Sequence, residues 1–347
     1  MPSPRVLVLY NQPVLPPDHP HADSEVGVLG TVRKVIQALR RGGFDAHQLG
    51  VGKDPGVLLT GLRRECPDAV FNLFEGLATH TGTEATLVGL LEWLGVPCTG
   101  SPSAALALAL DKLRTKHLLR GAGLPTPAFR AVERLPAPEW PYGWPAIVKP
   151  VRQDASVGIQ QASVVTSAEA LAARCAWVLE RFGPPALVEQ FIPGREFHVH
   201  LIEEQSGPDV RPTTLFHVAE VFFLHQGPGY WPIYSYDAKW NVASQEWEET
   251  PIEAAAALDP ERVEELARIA RRAYDLLGCR DYARLDVRMT AEGEFNILEV
   301  NTNPNLNSRL MRLALEEHGR TFTGLVTTLV GNALGRGRPE PVPADGP

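Results

Sequence analysis

The chain has 347 residues, 44% hydrophobic and 21% charged, the proportions of an ordinary globular protein with room for two or three domains. Its net charge of −8 offers no global attraction for nucleic acid or an anionic membrane. No stretch approaches the roughly 20 apolar residues of a membrane span, and Cys66, Cys98, Cys175 and Cys279 lack metal or CxxC spacing, as expected of buried free thiols in a reducing, cytoplasmic compartment.

Residues 5–10, RVLVLY, read as a buried strand, too short an apolar run for a signal-peptide core. After a proline-rich stretch, Ser24 is a candidate N-cap for a helix with an apolar face of Val28, Leu29, Val32, Ile36 and Leu39, ended by Gly42-Gly43. A strand near 44–49, a helix near 55–64, a strand at 69–74 and a helix near 83–94 give a β-α-β-α-β-α order. That order implies a parallel, Rossmann-like sheet with helices on both faces. Ligands gather at the carboxyl ends of such strands, which points to the loops carrying Asn11, Glu25 and residues 72–81. Pro97 to Pro102 marks a boundary. One helix is expected over 103–121, then a proline-rich connection, a strand at 145–149, further strand near 159–165, a helix at 167–182 and a strand at 186–191. Past Pro193-Gly194 come strands at 196–203 and near 213–224, a loop to about residue 250, a helix at 259–277, two strands, and a last helix near 309–334. The tail 336–347 is rich in proline and glycine and is expected to be disordered.

The most informative segment runs from Asp281 to Leu306, DYARLDVRMTAEGEFNILEVNTNPNL. Two alternating runs flank Glu292-Gly293 and read as a hairpin with a two-residue turn. That register sets Asp286 across from Glu299 and Arg284 across from Asn301. Opposed residues share a face with Cβ atoms roughly 4.5–5.5 Å apart, and two acids so placed repel unless a cation lies between them. With Asn301 as a neutral oxygen donor, the set suits Mg²⁺, whose remaining positions go to water or phosphate. Arg284 beside it could hold a developing negative charge. Charges alternating along a strand more often mark a solvated face, but the apolar Phe295, Ile297 and Leu298 before Glu299 argue for an interior strand.

Lys149, ending the apolar strand PAIV, and the small-residue loop RQDASVG after it suit a polyphosphate, although the Walker A pattern GxxxxGK[ST] is absent. Lys112 in DKLRTK carries less weight, since helix lysines are mostly solvated. In ALVEQFIPGREF, backbone beside Gln190–Ile192 could meet an adenine edge and a carboxylate the ribose.

Taken in order, SEV (24–26), VFNLFEG (70–76), GVPCTGSPSAALALALDKLRTK (95–116), GLPTP (123–127), PAIVKPVRQDASVGI (145–159), VEQFIPGREF (188–197), YDAKW (236–240) and residues 279–304 resemble the D-alanine–D-alanine ligase family of the ATP-grasp superfamily. The resemblance spans roughly residues 5–310. It implies an N-terminal α/β domain (1–103), then a two-subdomain α+β ATP-grasp fold (104–191 and 192–335). It also implies ATP, two Mg²⁺ ions with Mn²⁺ as a substitute, small amino-acid substrates and a homodimer. Position by position, Lys112, Lys149 and Ser156 match phosphate contacts. Glu189, Phe191 and Ile192 match the adenine pocket and Glu196 the ribose contact. Asp286, Glu299 and Asn301 match the metal ligands. Arg284 matches the arginine that steadies the acyl phosphate, Lys239 a lysine of the closing loop, and Glu25 the acid holding the first amino group.

The departures cluster at the amino-acid end. Residues 75–84, EGLATHTGTE, replace a His-Gly and Gly-Glu-Asp-Gly pattern, leaving Glu75 and His80 as substrate candidates. Ala155 stands for a serine and Trp240 for a tyrosine, neither able to accept a hydrogen bond through its side chain. Asn305 replaces a glycine, and Leu310 falls near a serine that binds the second substrate's carboxylate, for which Ser308 or Arg309 could substitute. These changes lead to the expectation of a carboxylate–amine ligase with a rebuilt acceptor site. A true D-alanine–D-alanine ligase is the alternative, and a non-catalytic nucleotide-binding protein the alternative of another class.

Overall fold

The structure, a computed structural model, describes residues 2–14, 22–77, 82–203, 214–225, 227–254, 258–306 and 309–337, with main chain alone at 22–26, 214–216 and 309. In chain order the first elements are β1 (Arg5–Asn11), α1 (Ala22–Arg41), β2 (Asp45–Val51), α2 (Gly56–Glu65), β3 (Ala69–Leu73) and α3 (Thr83–Trp93). Then come α4 (Ser103–Leu110), α5 (Lys112–Gly121), β4 (Phe129–Val132), β5 (Ala146–Pro150), β6 (Val164–Val165), α6 (Ala168–Phe182) and β7 (Ala186–Gln190). The rest are β8 (Arg195–Glu203), β9 (Thr214–Val221), α7 (Tyr236–Trp240), α8 (Gln245–Glu248), β10 (Ile252–Ala254), α9 (Pro260–Leu277), β11 (Tyr282–Met289), β12 (Phe295–Asn301), α10 (Arg309–Glu317) and α11 (Phe322–Gly335). Among the described residues no helix is long and apolar enough to cross a membrane.

The chain forms two compact units. The first comprises residues 1–104, 202–215 and 315–347. Its sheet is parallel with order β2-β1-β3, as the alternating pattern predicts. Val6 to Leu9 are fully buried, the continuous apolar run of a strand covered on both faces. At the strand ends, Asn72 Oδ1 accepts from Phe74 N at 3.1 Å and Asn11 Oδ1 from Glu75 N at 3.4 Å, so both asparagines shape the loop after β3.

The second unit comprises residues 105–201 and 216–314 and holds two antiparallel sheets, β4-β7-β5-β6 and β10-β9-β8-β11-β12. Period-two alternation builds each one. Ala146, Val148, Ala186 and Val188 pack on Leu171, Cys175 and Val178 of α6, which leaves Ile147, Lys149, Leu187 and Glu189 on the opposite face. Phe197, Val199, Leu201, Ala283, Leu285 and Val287 pack on Leu266, Ala270, Ala273 and Leu277 of α9. Glu196, His198, His200, Arg284, Asp286 and Arg288 therefore occupy the other face. Gly194 (φ 133°) makes the turn between β7 and β8, where a Cβ would collide with Met289 O.

Several boundaries differ from expectation. The helix expected over 103–121 breaks at Asp111, whose carboxylate caps α5 by accepting from Arg114 N at 3.0 Å. The last helix breaks before Thr321, which caps α11 at Gly324 N. The strand expected near 159–165 shrinks to β6, and the proline-rich connection hides β4. The loop expected over 225–250 contains α7 and α8, capped by Ser235 and Ser244. Cys66 is exposed, because it ends α2 in a left-handed conformation (φ 45°), whereas the other three cysteines are buried. Residues 338–347 of the tail lie outside the described residues.

Candidate active site

The hairpin register holds at the paired acids: Arg284 faces Asn301 and Asp286 faces Glu299. It arises differently from the expectation. The turn is one residue longer than expected, with Thr290 N bonded to Glu294 O and Gly293 at φ 88°. A bulge then shifts the register, Asp286 pairing with Glu299 but Val287 with Ile297, so Leu298 is the extra residue. The bulge also reverses the face. Phe295 and Ile297 point into the α9 core, and so does Val300, which leaves Glu299 and Asn301 beside Asp286. An unbroken strand would bury Glu299 in that core.

A cleft in the second unit is lined by Lys112, Lys149, Ser156, Glu189, Phe191, Ile192, Glu196, Asp286 and Glu299, nine of the residues singled out in the sequence. Lys112, the first residue of α5, is buried rather than solvated: its Nζ donates to Gln153 O at 2.6 Å and lies 3.4 Å from Glu299 Oε2. Against the cost of burial, Glu299 and Asp154 raise its pKa. Lys149 Nζ donates to Glu189 Oε2 at 2.9 Å. Ala155 (φ 55°) and Ser156 (φ 60°) are both left-handed, and Ser156 Oγ donates to Tyr234 O at 3.0 Å.

Arg284 grips Asp286 in a fork, Nε to Oδ1 at 2.7 Å and Nη2 to Oδ2 at 2.9 Å. Asn301 Nδ2 donates to Asp286 Oδ2 at 3.3 Å and to Glu299 Oε1 at 3.4 Å. Burial and the neighbouring charge of Glu299 outweigh Arg284 and push the Asp286 carboxyl up. Burial pushes Glu299 the same way, but Lys112 and Arg284 hold it below the usual carboxylate range. Two facing acids in this state fit a divalent cation, which would relieve their repulsion. Among the described residues no three His, Cys, Asp or Glu side chains converge as an all-protein cage. Two carboxylates form an open oxygen site of the kind Mg²⁺ accepts, completed by water or phosphate, and Asn301 would add its Oδ1 once its amide turned over.

Lys239 sits on α7, half-buried, 5.7 Å from the centre of the Trp240 ring, its pKa lowered by burial and Arg284. Trp240 Nε1 donates to Ala155 O at 2.9 Å. The remaining substrate candidates are less informative. The Glu25 side chain, His80, Ser308 and the Arg309 side chain lie outside the described residues; Glu75 is exposed in the first unit and Asn305 exposed after β12.

Sequence reading missed three residues. Arg288, 3% exposed, pairs with Glu196 at 2.9 Å and donates to Ile192 O at 2.8 Å. Lys116, also buried, lies 3.0 Å from Glu189. His198 lies 3.6 Å from Asp286, and burial holds its pKa well below the ordinary value. Arg288 and His198 share the strand parity of Asp286 and Glu196, and Lys116 follows Lys112 by four residues, so the spacing alone could have found them.

The family model described as D-ala D-ala ligase C-terminus matches residues 118–331. A D-alanine–D-alanine ligase of Marinobacter nauticus is 34% identical over 322 residues, covering 91% of this chain and 89% of that protein. One of Haemophilus influenzae is 32% identical over 311 residues, covering 87% and 94%. The structure of D-alanine–D-alanine ligase from Bacillus anthracis complexed with ATP has the same fold, with a TM-score of 0.72 at 20% identity over 96% of this chain and 97% of that one. The chain therefore belongs to the D-alanine–D-alanine ligase family, ATP-dependent, ADP-forming C–N ligases with the ATP-grasp fold.

Proposed function

We propose that the chain joins two molecules of D-alanine, converting ATP to ADP and phosphate. The convergence of Lys112, Lys149, Asp286 and Glu299 on one cleft, in a chain of this family, carries the reading. Relatives aligned over about nine-tenths of the chain are D-alanine–D-alanine ligases, which favours D-alanine at both positions over a rebuilt acceptor site. The matched departures Ala155 and Trp240 weigh less than their side chains suggest, because the main chain supplies the acceptor that serine would have offered.

A carboxylate and an amine do not condense unaided near neutral pH. Phosphorylation of the first carboxylate makes an acyl phosphate, which the second amine attacks with loss of phosphate. The protein's part is positioning and charge neutralisation. Lys112, Lys149 and Ser156 would hold the phosphates, Phe191 and Ile192 the adenine, and Glu196 the ribose. Mg²⁺ on Asp286, Glu299 and Asn301 would neutralise phosphate charge. Arg284, anchored on Asp286 through Nε and Nη2, keeps Nη1 for the oxyanion. We assign Glu25 to the first amino group and Lys239 to the segment that keeps water from the acyl phosphate. We divide the chain into domains 1–103, 104–191 and 192–335, place it in the cytoplasm and read it as a homodimer. Incubation with ATP, Mg²⁺ and D-alanine alone, followed by mass spectrometry, tests the reading: D-alanyl-D-alanine is expected at one ADP each. Dipeptide formed only with another amine present would restore the rebuilt-acceptor reading.

A further inference from the structure

Lys116 is 1% exposed and forms no part of the cleft wall, yet it connects both sheets of the nucleotide site. Its Nζ lies 3.0 Å from Glu189 Oε1 on β7 and donates to Thr126 Oγ1 at 2.9 Å. The other Glu189 oxygen accepts from Lys149 Nζ on β5 at 2.9 Å. Thr126 Oγ1 in turn donates to Ile297 O on β12 at 2.8 Å, two residues before Glu299. One buried ammonium thus joins the strands carrying the nucleotide lysine to the strand carrying the facing acid. An ammonium stripped of water is costly unless paired and hydrogen-bonded, and a methionine would fill the same space without that cost. Packing alone gives no reason for a charge here.

We propose that Lys116 is a positioning residue for the phosphates of the bound nucleotide: it shares Glu189 with Lys149, leaving Lys149 free to turn toward phosphate, and through Thr126 it sets the spacing between the two sheets. The proposal rests on assigning Lys149 to phosphate. The charged groups around Lys116 are Glu189 on β7, Lys149 on β5, Glu299 on β12 and, one turn earlier on α5, Lys112. Burial lowers the Lys116 ammonium to about 8, so its charge is lost within an accessible pH range. When Lys116 is neutral or absent, Glu189 keeps one cation and draws Lys149 into an exclusive pair.

The test measures binding of MgATP and of adenosine to the full chain by calorimetry, with Lys116→Met and Lys149→Met beside the parent. In Lys116→Met, MgATP affinity should fall by about tenfold, or ~1.4 kcal/mol, while adenosine affinity stays within about twofold. The parent should lose MgATP affinity as pH rises through about 8, and Lys116→Met should lack that limb. Equal weakening of both ligands would mark a merely structural role and overturn the proposal, as would unchanged MgATP affinity. Should Lys116→Met not fold, Thr126→Val keeps the ammonium and cuts its link to β12. The same selective loss, on the order of threefold, is then expected, and no loss overturns the proposal. If Lys149→Met leaves MgATP affinity intact, the phosphate assignment falls and the proposal with it. A loss in Lys149→Met with none in Lys116→Met defeats the proposal alone.

Discussion

Arg288→Met probes the cation on which the end of the cleft proposed for adenine is built. The guanidinium meets Glu196 Oε2 through Nε at 2.9 Å and Nη2 at 2.8 Å, and donates to Ile192 O at 2.8 Å and to Pro232 O. It also lies over the rings of Phe191 at 5.0 Å and Phe223 at 5.4 Å. Methionine roughly fills the volume but leaves Glu196, 5% exposed, without its cation. Removing one partner of a buried pair costs about 3–5 kcal/mol. In a unit of roughly 150–250 residues, each kcal/mol moves Tm by about 2–4 °C, so scanning calorimetry should show a fall of about 6–20 °C. Phe191 and Ile192 lose their anchor, and adenosine affinity should drop by about tenfold. Adding Glu196→Gln removes the stranded charge, so the double variant should regain much of the lost Tm without regaining adenosine affinity. A Tm within about 2 °C of the parent, or a double variant less stable than the single one, would refute the pairing as the support of this end.

Glu299→Gln should lower turnover by on the order of 10²–10³ and weaken MgATP while sparing adenosine; ADP release near the parental rate would sink the metal assignment. His200 should make the fold acid-sensitive. Burial, Arg284 and His217 hold its pKa well below 6.5, so it is neutral when folded and takes a proton on unfolding below 6.5. A depressed folded pKa means that its contribution is lost as pH falls, by up to ~1.4 kcal/mol per pH unit below 6.5. Urea midpoints at pH 7 and 5.5 should therefore differ less in His200→Gln than in the parent, and equal slopes would contradict this.

The legible part of the site was the part governed by strand parity. Once Asp286 and Glu299 were set opposite each other, period two placed Arg284 with them. The same rule run along β11 reaches Arg288, and run along β8 from Glu196 it reaches His198; that β8 lies beside β11 is a tertiary fact. The bulge at Leu298 was hidden because a turn one residue longer than expected and one inserted residue cancel at the acids. Asp111 was hidden for a different reason: within an apolar helical pattern an aspartate reads as a surface position, whereas here it ends one helix and caps the next. That break sets the register of α5 that turns both Lys112 and Lys116 inward. Boundaries fixed by capping and registers fixed by bulges are local events with tertiary consequences, and hydrophobic periodicity does not report them.

Trp240 and Ala155 bear on the substrate question through water. Ala155 and Ser156 hold left-handed conformations that cost about 1–3 kcal/mol each. In that arrangement the Ala155 carbonyl accepts from Trp240 Nε1 at 2.9 Å. Ser156 Oγ reaches Tyr234 O, Tyr236 N donates to Ile159 O at 3.0 Å, and Gln161 Oε1 accepts from Trp231 N at 2.8 Å. The segment around Lys239 is thus fastened along its length to the loop after Lys149, with Trp240 one of the fastenings and Glu246, which accepts from Gln161 Nε2 at 3.3 Å, another. Trp240→Phe keeps an aromatic ring and deletes that bond, worth about 0.5–1.5 kcal/mol, or roughly 2–12-fold in the ratio of fastened to loosened segment. An acyl phosphate exposed by loosening would be hydrolysed before the second amine attacks. With D-alanine as the substrate, ADP released per dipeptide should rise from one in the parent to about two or more in Trp240→Phe, with little change in Tm. A ratio that stays at one would show that this bond does not guard the intermediate, and the departures at 155 and 240 would then need another explanation, beginning with a different acceptor.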